Sequence, residues 1–145
     1  MAQTGGRIVV GVDGSGASVE ALRWALHQAT FTGASVEAIG AWMVPVSFGV
    51  AMGAVESVDW ESNSQEILDA AITEALGDNG QSVTKKNVQG HPADVLVDAS
   101  KDAELVVVGS RGHGGFVGAV LGSVSSHVVA HAHCPVLVTR NREEG

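Results

Sequence analysis

Two stretches of this chain hold residues of the kind that grip an anion. One is Gly109-Ser110-Arg111-Gly112-His113-Gly114-Gly115, followed at a short distance by Gly122-Ser123. Glycine lacks a Cβ, so phosphate oxygens can reach the bare amide N–H groups of such a loop. Six of the nineteen glycines fall between Gly109 and Gly122, a concentration that points to chemistry. Gly122-Ser123 stands where a helix would open. Such an N-terminus carries about half a positive elementary charge and unpaired N–H groups, and the Ser123 hydroxyl can add a hydrogen bond. The other stretch is Gly11-Val12-Asp13-Gly14-Ser15, a turn holding a carboxylate. A carboxylate there suits a ribose hydroxyl, or a cation held by phosphates. No Gly-Lys-Ser or Gly-Lys-Thr occurs, so this is not a Walker loop, and Gly11, Gly14 and Gly16 lack the dinucleotide spacing.

Such residues need strands to carry them. Ile8–Val12 and Leu105–Val108 are apolar runs of the buried-strand kind, and each runs into one of the two glycine turns. Ala21, Leu22, Ala25, Leu26 and Ala29 recur at helical spacing, which predicts a first helix with Ser18 as its N-cap and Gly33 as its stop. Val36–Trp42 reads as a second strand, and 45–63 as an aperiodic loop with room for one turn of helix. Ile67, Leu68, Ala71, Ile72, Ala75 and Leu76 predict a second helix, closed at Gly77–Gly80. Val83–Val88 is polar enough for a sheet edge, and Pro92 suits the first turn of a third helix. A fourth helix opens near Ser123, Pro135–Thr139 is a last strand, and 141–145 is a polar tail. Strict alternation of strand and helix implies a Rossmann-like α/β fold, a parallel sheet with helices on both faces. Residues 1–145 read as one domain. Ligands of open parallel sheets sit at the carboxyl ends of the strands, where the winding reverses. If the first and fourth strands are neighbours there, Asp13 faces Gly109 across that crevice.

Composition narrows the classes. The formal charge of −8 disfavours nucleic acid and anionic lipid, so a phosphate site must work locally through amides, a helix end or a cation. No apolar run suits a membrane span. The first seven residues lack a secretory apolar core, and the single cysteine, Cys134, fits a reducing compartment. The expectation is a cytoplasmic protein.

Gly109, two residues, Gly112, nine residues and Gly122-Ser123 together resemble the glycine motif of nucleotide-binding universal stress proteins. Ile8-Val9-Val10-Gly11-Val12-Asp13-Gly14-Ser15, Gly90-His91-Pro92, Val106-Val107-Val108-Gly109 and Cys134-Pro135-Val136-Leu137-Val138 are similar to other parts of that family, so the resemblance spans nearly the whole chain. It implies a five-stranded parallel sheet of order 3-2-1-4-5 and a homodimer formed through the last strand. The implied ligand is ATP, with Mg2+ held by its phosphates. By position, Asp13 would bond the ribose, Gly109 would line the pocket, and Gly112, Gly122, Ser123 and Val124 would hold phosphates. The adenine would meet main chain near Ala41, although Gly40-Ala41-Trp42 departs from the family's usual His-Val ending. Arg111 and His113 would reach either phosphates or solvent.

This points to an ATP-binding regulatory protein of the stress response. No catalytic residue is assigned, because phosphoryl transfer relies on cationic clamps and a positioned base, and no catalytic lysine accompanies the loop. The alternatives are a slow ATP hydrolase or adenylating enzyme, a cyclic AMP binder, and a ligand-free dimeric scaffold. Plainer roles compete for single residues. Gly114, Gly115 and Gly118 read as turn glycines, and Asp13 could simply form an Asx turn. His127, His131 and His133 beside Cys134 read as caps of a helix end rather than a metal site, and Cys134 as a small buried hydrophobe. Trp24 reads as half-buried core, Trp42 as a border of the base pocket, Trp60 as part of the loop, and Lys85 with Lys86 as a solvated pair.

Overall fold

A computed structural model describes residues 6–44, 59–77, 82–110 and 121–140. The elements are β1 (Arg7–Gly11), α1 (Gly16–Thr32), β2 (Ser35–Trp42), α2 (Trp60–Leu76), β3 (Thr84–Gln89), α3 (Pro92–Ala99) with a 3-10 turn over Ser100–Asp102, β4 (Leu105–Gly109), α4 (Ser123–His131) and β5 (Val136–Thr139). The five strands pair in parallel in the order β3-β2-β1-β4-β5, as the resemblance implied. Among the described residues no helix is long and apolar enough to cross a membrane.

Successive strand residues point to opposite faces, and the core divides accordingly. Ile8, Val10, Ala38 and Val107 pack with Leu22, Ala25 and Leu26 of α1 and Leu68, Ala71 and Ile72 of α2. Val9, Ile39, Val106 and Val108 pack on the other face with Leu96 of α3 and Val128 of α4. β1 and β4 are therefore covered on both sides, which is why their cores are β-branched without alternation. The two margins of the sheet differ. β3 is polar and carries Lys85 and Lys86, whereas β5 ends the sheet with partly exposed Val136, Leu137 and Val138.

Four local expectations change. Helix α1 begins before Ser18: Ser15 is its N-cap, its hydroxyl accepting from the Ser18 N–H at 3.2 Å, while Ser18 is buried inside the helix. Helix α2 starts at Trp60, so 60–63 are the turn of helix that the loop reading left room for, and they run on into the second helix. Asp59 caps it by accepting from the Ser62 N–H at 3.0 Å; residues 45–58 lie outside the described residues. Trp24 is 43% exposed, in an edge-to-face row with His27 and Phe31 on the surface of α1. Its position lies off the alanine- and leucine-rich stripe that α1 buries. Lys85 does more than face solvent: its Nζ lies 2.9 Å from Asp69 Oδ1 and ties β3 to α2. The stops at Gly33 and Gly77 hold, and both glycines adopt the positive φ that side chains resist.

Candidate functional site

The winding reverses between β1 and β4, which are hydrogen-bonded neighbours, so the switch point lies where the sequence places it, at the ends of the two strands that run into the glycine turns. On the β1 side the chain turns through Asp13 and Gly14. Asp13 Oδ1 accepts from the Ser15 N–H at 2.9 Å and the Ser15 hydroxyl at 2.6 Å, an Asx turn that Gly14 completes with φ 86°. The Asx-turn reading of Asp13 therefore holds. Among the described residues it uses one carboxylate oxygen, and the residue is exposed, which leaves the other oxygen for a ligand. Ser15, fixed by Asp13, in turn caps α1, so the carboxylate's position is set by the helix start.

Asp13 and Ala41 line one cleft, of about 240 Å³, between the ends of β1 and β2 and the first two turns of α2. Trp42, Met43, Trp60, Asn63 and Ile67 also line it. The contribution of α2 escapes a reading by period, because apolar spacing starts only near Ile67. The available signal was the Asp59-to-Ser62 capping spacing ahead of it. The Asp59 carboxyl is held below the usual carboxylate range, chiefly by the N–H of Ser62 and then by the Ser62 hydroxyl. That keeps the cap charged at the helix terminus bordering the cleft.

On the β4 side, Gly109 ends the strand against α1. A Cβ placed on it would lie 2.7 Å from Ala17 Cβ and 2.9 Å from the Ala17 carbonyl carbon, so close packing alone demands glycine here. Beyond it the stem of the glycine-rich segment is closed. Ser110 N–H donates to Thr139 O of β5 at 2.7 Å, Gly122 N–H donates to Ser110 O at 2.6 Å, and the buried Ser125 hydroxyl donates to Ser110 O at 2.7 Å. Arg111, Gly112 and His113 lie outside the described residues, as do Gly114, Gly115 and Gly118. Gly122 is the N-cap of α4, followed by exposed Ser123 and half-buried Val124. Because glycine has no side chain, α4 opens without a side-chain cap, whereas Ser15, Asp59 and His91 cap the other three helices. The first amides of α4 are thus left to another acceptor.

The histidines and the cysteine sit elsewhere. His127 is in the middle of α4, its ring 4.4 Å from that of His131 and its Nε2 3.7 Å from Asp94 Oδ1 of α3; only His131 lies in the last turn. His133 follows the helix, and its N–H donates to the buried Ser100 hydroxyl. Cys134 is partly rather than fully buried, and that burial pushes its thiol pKa up. Among the described residues no three or more His, Cys, Asp or Glu are grouped to hold a metal ion.

Residues 5–140 match the family described as Universal stress protein family. The chain belongs to the universal stress protein family. Over 138 residues it is 35% identical to a universal stress protein of Mycobacterium tuberculosis strain H37Rv, a match covering 92% of this chain and 44% of that one. The chain thus spans less than half the length of the curated universal stress proteins it matches. Among solved structures, the universal stress protein UspA from Lactobacillus plantarum superposes with a TM-score of 0.70 at 25% identity, covering 97% of this chain and 100% of that one. A universal stress protein in complex with cAMP gives a TM-score of 0.68 at 29% identity, covering 94% and 98%.

Proposed function

We propose that this universal stress protein binds an adenine nucleotide, with ATP as its first ligand, between the cleft at Asp13 and Ala41 and the start of α4. The observation that carries the reading is the shared cleft. A carboxylate and the end of β2 meet in one recess at the carboxyl ends of β1 and β2, on the β2 side of the strand from which the sheet's winding reverses. Asp13 would accept from the ribose, and main chain near Ala41 would meet the base. Gly109 would border the pocket, while Gly112, Gly122, Ser123 and Val124 would hold phosphates, with Arg111 beside them. The uncapped start of α4 supports the phosphate end, since its N–H groups and partial positive charge favour an anion despite the net charge of −8. Mg2+ would arrive on the phosphates and offset their charge.

The role we propose is regulatory, in a stress response in the cytoplasm, because no Gly-Lys-Ser or Gly-Lys-Thr lysine accompanies the glycine-rich sequence. The apolar margin at β5 supports a homodimer joined there, because an unpaired apolar edge invites pairing. A second reading, cyclic AMP as the ligand, is favoured by the 29% identical relative solved with cAMP. It requires the same ribose and base contacts with fewer phosphate donors.

Mass spectrometry of nucleotide released by denaturing the purified protein, followed by titration with ATP, AMP and cAMP, tests the reading. ATP at about a hundred times its Kd adds about 2.7 kcal/mol of stability. For a chain of 145 residues that is a rise in melting temperature of about 9 °C. Gly122→Val should abolish that rise while leaving the unliganded melt intact. No nucleotide released and no rise with any of the three ligands would overturn the proposal, and a preference for cAMP would select the second reading.

A further inference from the structure

We propose that Asn63, on the first turn of α2, reads the base in this cleft and selects adenine over guanine. The inference rests on the nucleotide reading above and assigns a residue that the glycine motif does not contain. Asn63 lines the same recess as Ala41 and Asp13. Its neighbours on α2 have spent their polar groups. The Ser62 hydroxyl donates to Asp59 at 2.8 Å, the Ser64 hydroxyl to Asn87 at 2.8 Å, and Gln65 Nε2 to Asp69 at 3.2 Å. The Asn63 side chain has no such partner among the described residues, and Asn63 is exposed at the cleft. Trp42, Trp60, Met43 and Ile67 supply apolar walls around it, and both Met43 (48%) and Ile67 (40%) leave hydrophobic surface open to solvent. A flat heterocycle would cover that surface.

The chemistry of the carboxamide commits it to one edge. It offers an acceptor oxygen beside a donor nitrogen. Adenine presents a donor at N6 beside an acceptor at N7, the pattern that an asparagine satisfies with two hydrogen bonds. Guanine presents two acceptors on the same edge, O6 and N7, so the amide oxygen would face another oxygen. With main chain near Ala41 taking the base's pairing edge, the N6/N7 edge falls to Asn63. The fixed helical position of Asn63, anchored by the Asp59 cap one turn earlier, supplies the rigidity that discrimination requires.

Isothermal titration of the full chain and of Asn63→Ala with ATP, GTP and 7-deaza-ATP tests this. The wild type should prefer ATP to GTP, and should lose affinity for 7-deaza-ATP, which lacks the N7 acceptor. Asn63→Ala should weaken ATP by about tenfold or more, leave GTP unchanged, and bind ATP and 7-deaza-ATP alike. Asn63→Asp, which keeps the acceptor for N6 and loses the donor for N7, should fall between the two. Because Asn63 is exposed, the melting temperature of each unliganded variant should match the wild type. Wild-type binding of ATP with an unchanged ATP-to-GTP ratio in Asn63→Ala would overturn the role of Asn63 alone. A wild type that binds none of the three would overturn the nucleotide reading beneath it.

Discussion

Replacing Gly109 with alanine measures how tightly β4 and α1 are locked beneath the crevice. The added methyl would lie 2.7 Å from Ala17 Cβ, and 2.9 and 3.0 Å from the Ala17 carbonyl carbon and oxygen. Two of those three atoms belong to the helix backbone and cannot swing aside. Overpacking of this kind costs about 1–3 kcal/mol. Unfolding entropy of about 2.1 cal/mol/K per residue gives a 145-residue chain about 0.3 kcal/mol per degree, so overpacking alone lowers the melting temperature by about 3–10 °C. Gly11→Ala is the matched control, at the carboxyl end of the neighbouring strand. Its methyl would meet Leu96 Cδ1 at 2.6 Å, a side-chain terminus that can rotate, at a cost of about 0.5–1.5 kcal/mol. The reduced entropy of the unfolded chain returns about 0.4–1 kcal/mol to both variants alike, which leaves Gly11→Ala near neutral and Gly109→Ala the less stable of the two. Adding Ala17→Gly to Gly109→Ala should rescue only part of the loss, because the backbone contacts remain. Scanning calorimetry of the four proteins decides it. Equal melting temperatures for Gly109→Ala and Gly11→Ala, or full rescue by Ala17→Gly, would refute the argument that the Ala17 backbone excludes a side chain at 109.

Ser100→Ala should cost about 1–3 kcal/mol in urea unfolding, because the buried hydroxyl that accepts from the His133 N–H would be gone and that donor left unpaired. Asp59 and Asp69 both have lowered pKa values, through the Ser62 N–H and Lys85 respectively. Their stabilisation is complete above the unfolded carboxylate range near pH ~4 and is lost as pH falls through the lower folded values. Melting temperature should therefore drop on acidification, and Asp59→Asn, which keeps a capping oxygen without a titrating group, should flatten part of that slope. If the proposed homodimer joins at β5, Val136→Lys should shift sedimentation to a single copy, with some loss of stability because Val136 also packs against the core beneath α3 and α4; an unchanged dimer would move the interface away from β5.

The strands that carry the crevice were plain in the chain itself, because Ile8–Val10 and Val106–Val108 are buried on both faces and need no alternation. Strand order came from family resemblance, since nothing in periodicity says which buried strand lies beside which. Ser15 and Ser18 are both acceptable caps by type; what separates them is that Ala17 and Val19 are already buried. The first turns of α2 were hidden for the opposite reason. Trp60 to Glu66 bury nothing completely, as that segment borders a recess and solvent rather than the core. A site wall built from the exposed side of a helix leaves no hydrophobic period to find. The dual occupation of Asp13, one oxygen for its own turn and one spare, also needed coordinates.

The unlike margins of the sheet bear on how many copies can gather. Lysines on one outermost strand repel a newcomer, while the opposite strand offers valine and leucine. Were two copies to meet valine side to valine side, each free end of the enlarged ribbon would display lysines. Growth would halt at a closed pair, with no sticky flank left from which a fibre could lengthen.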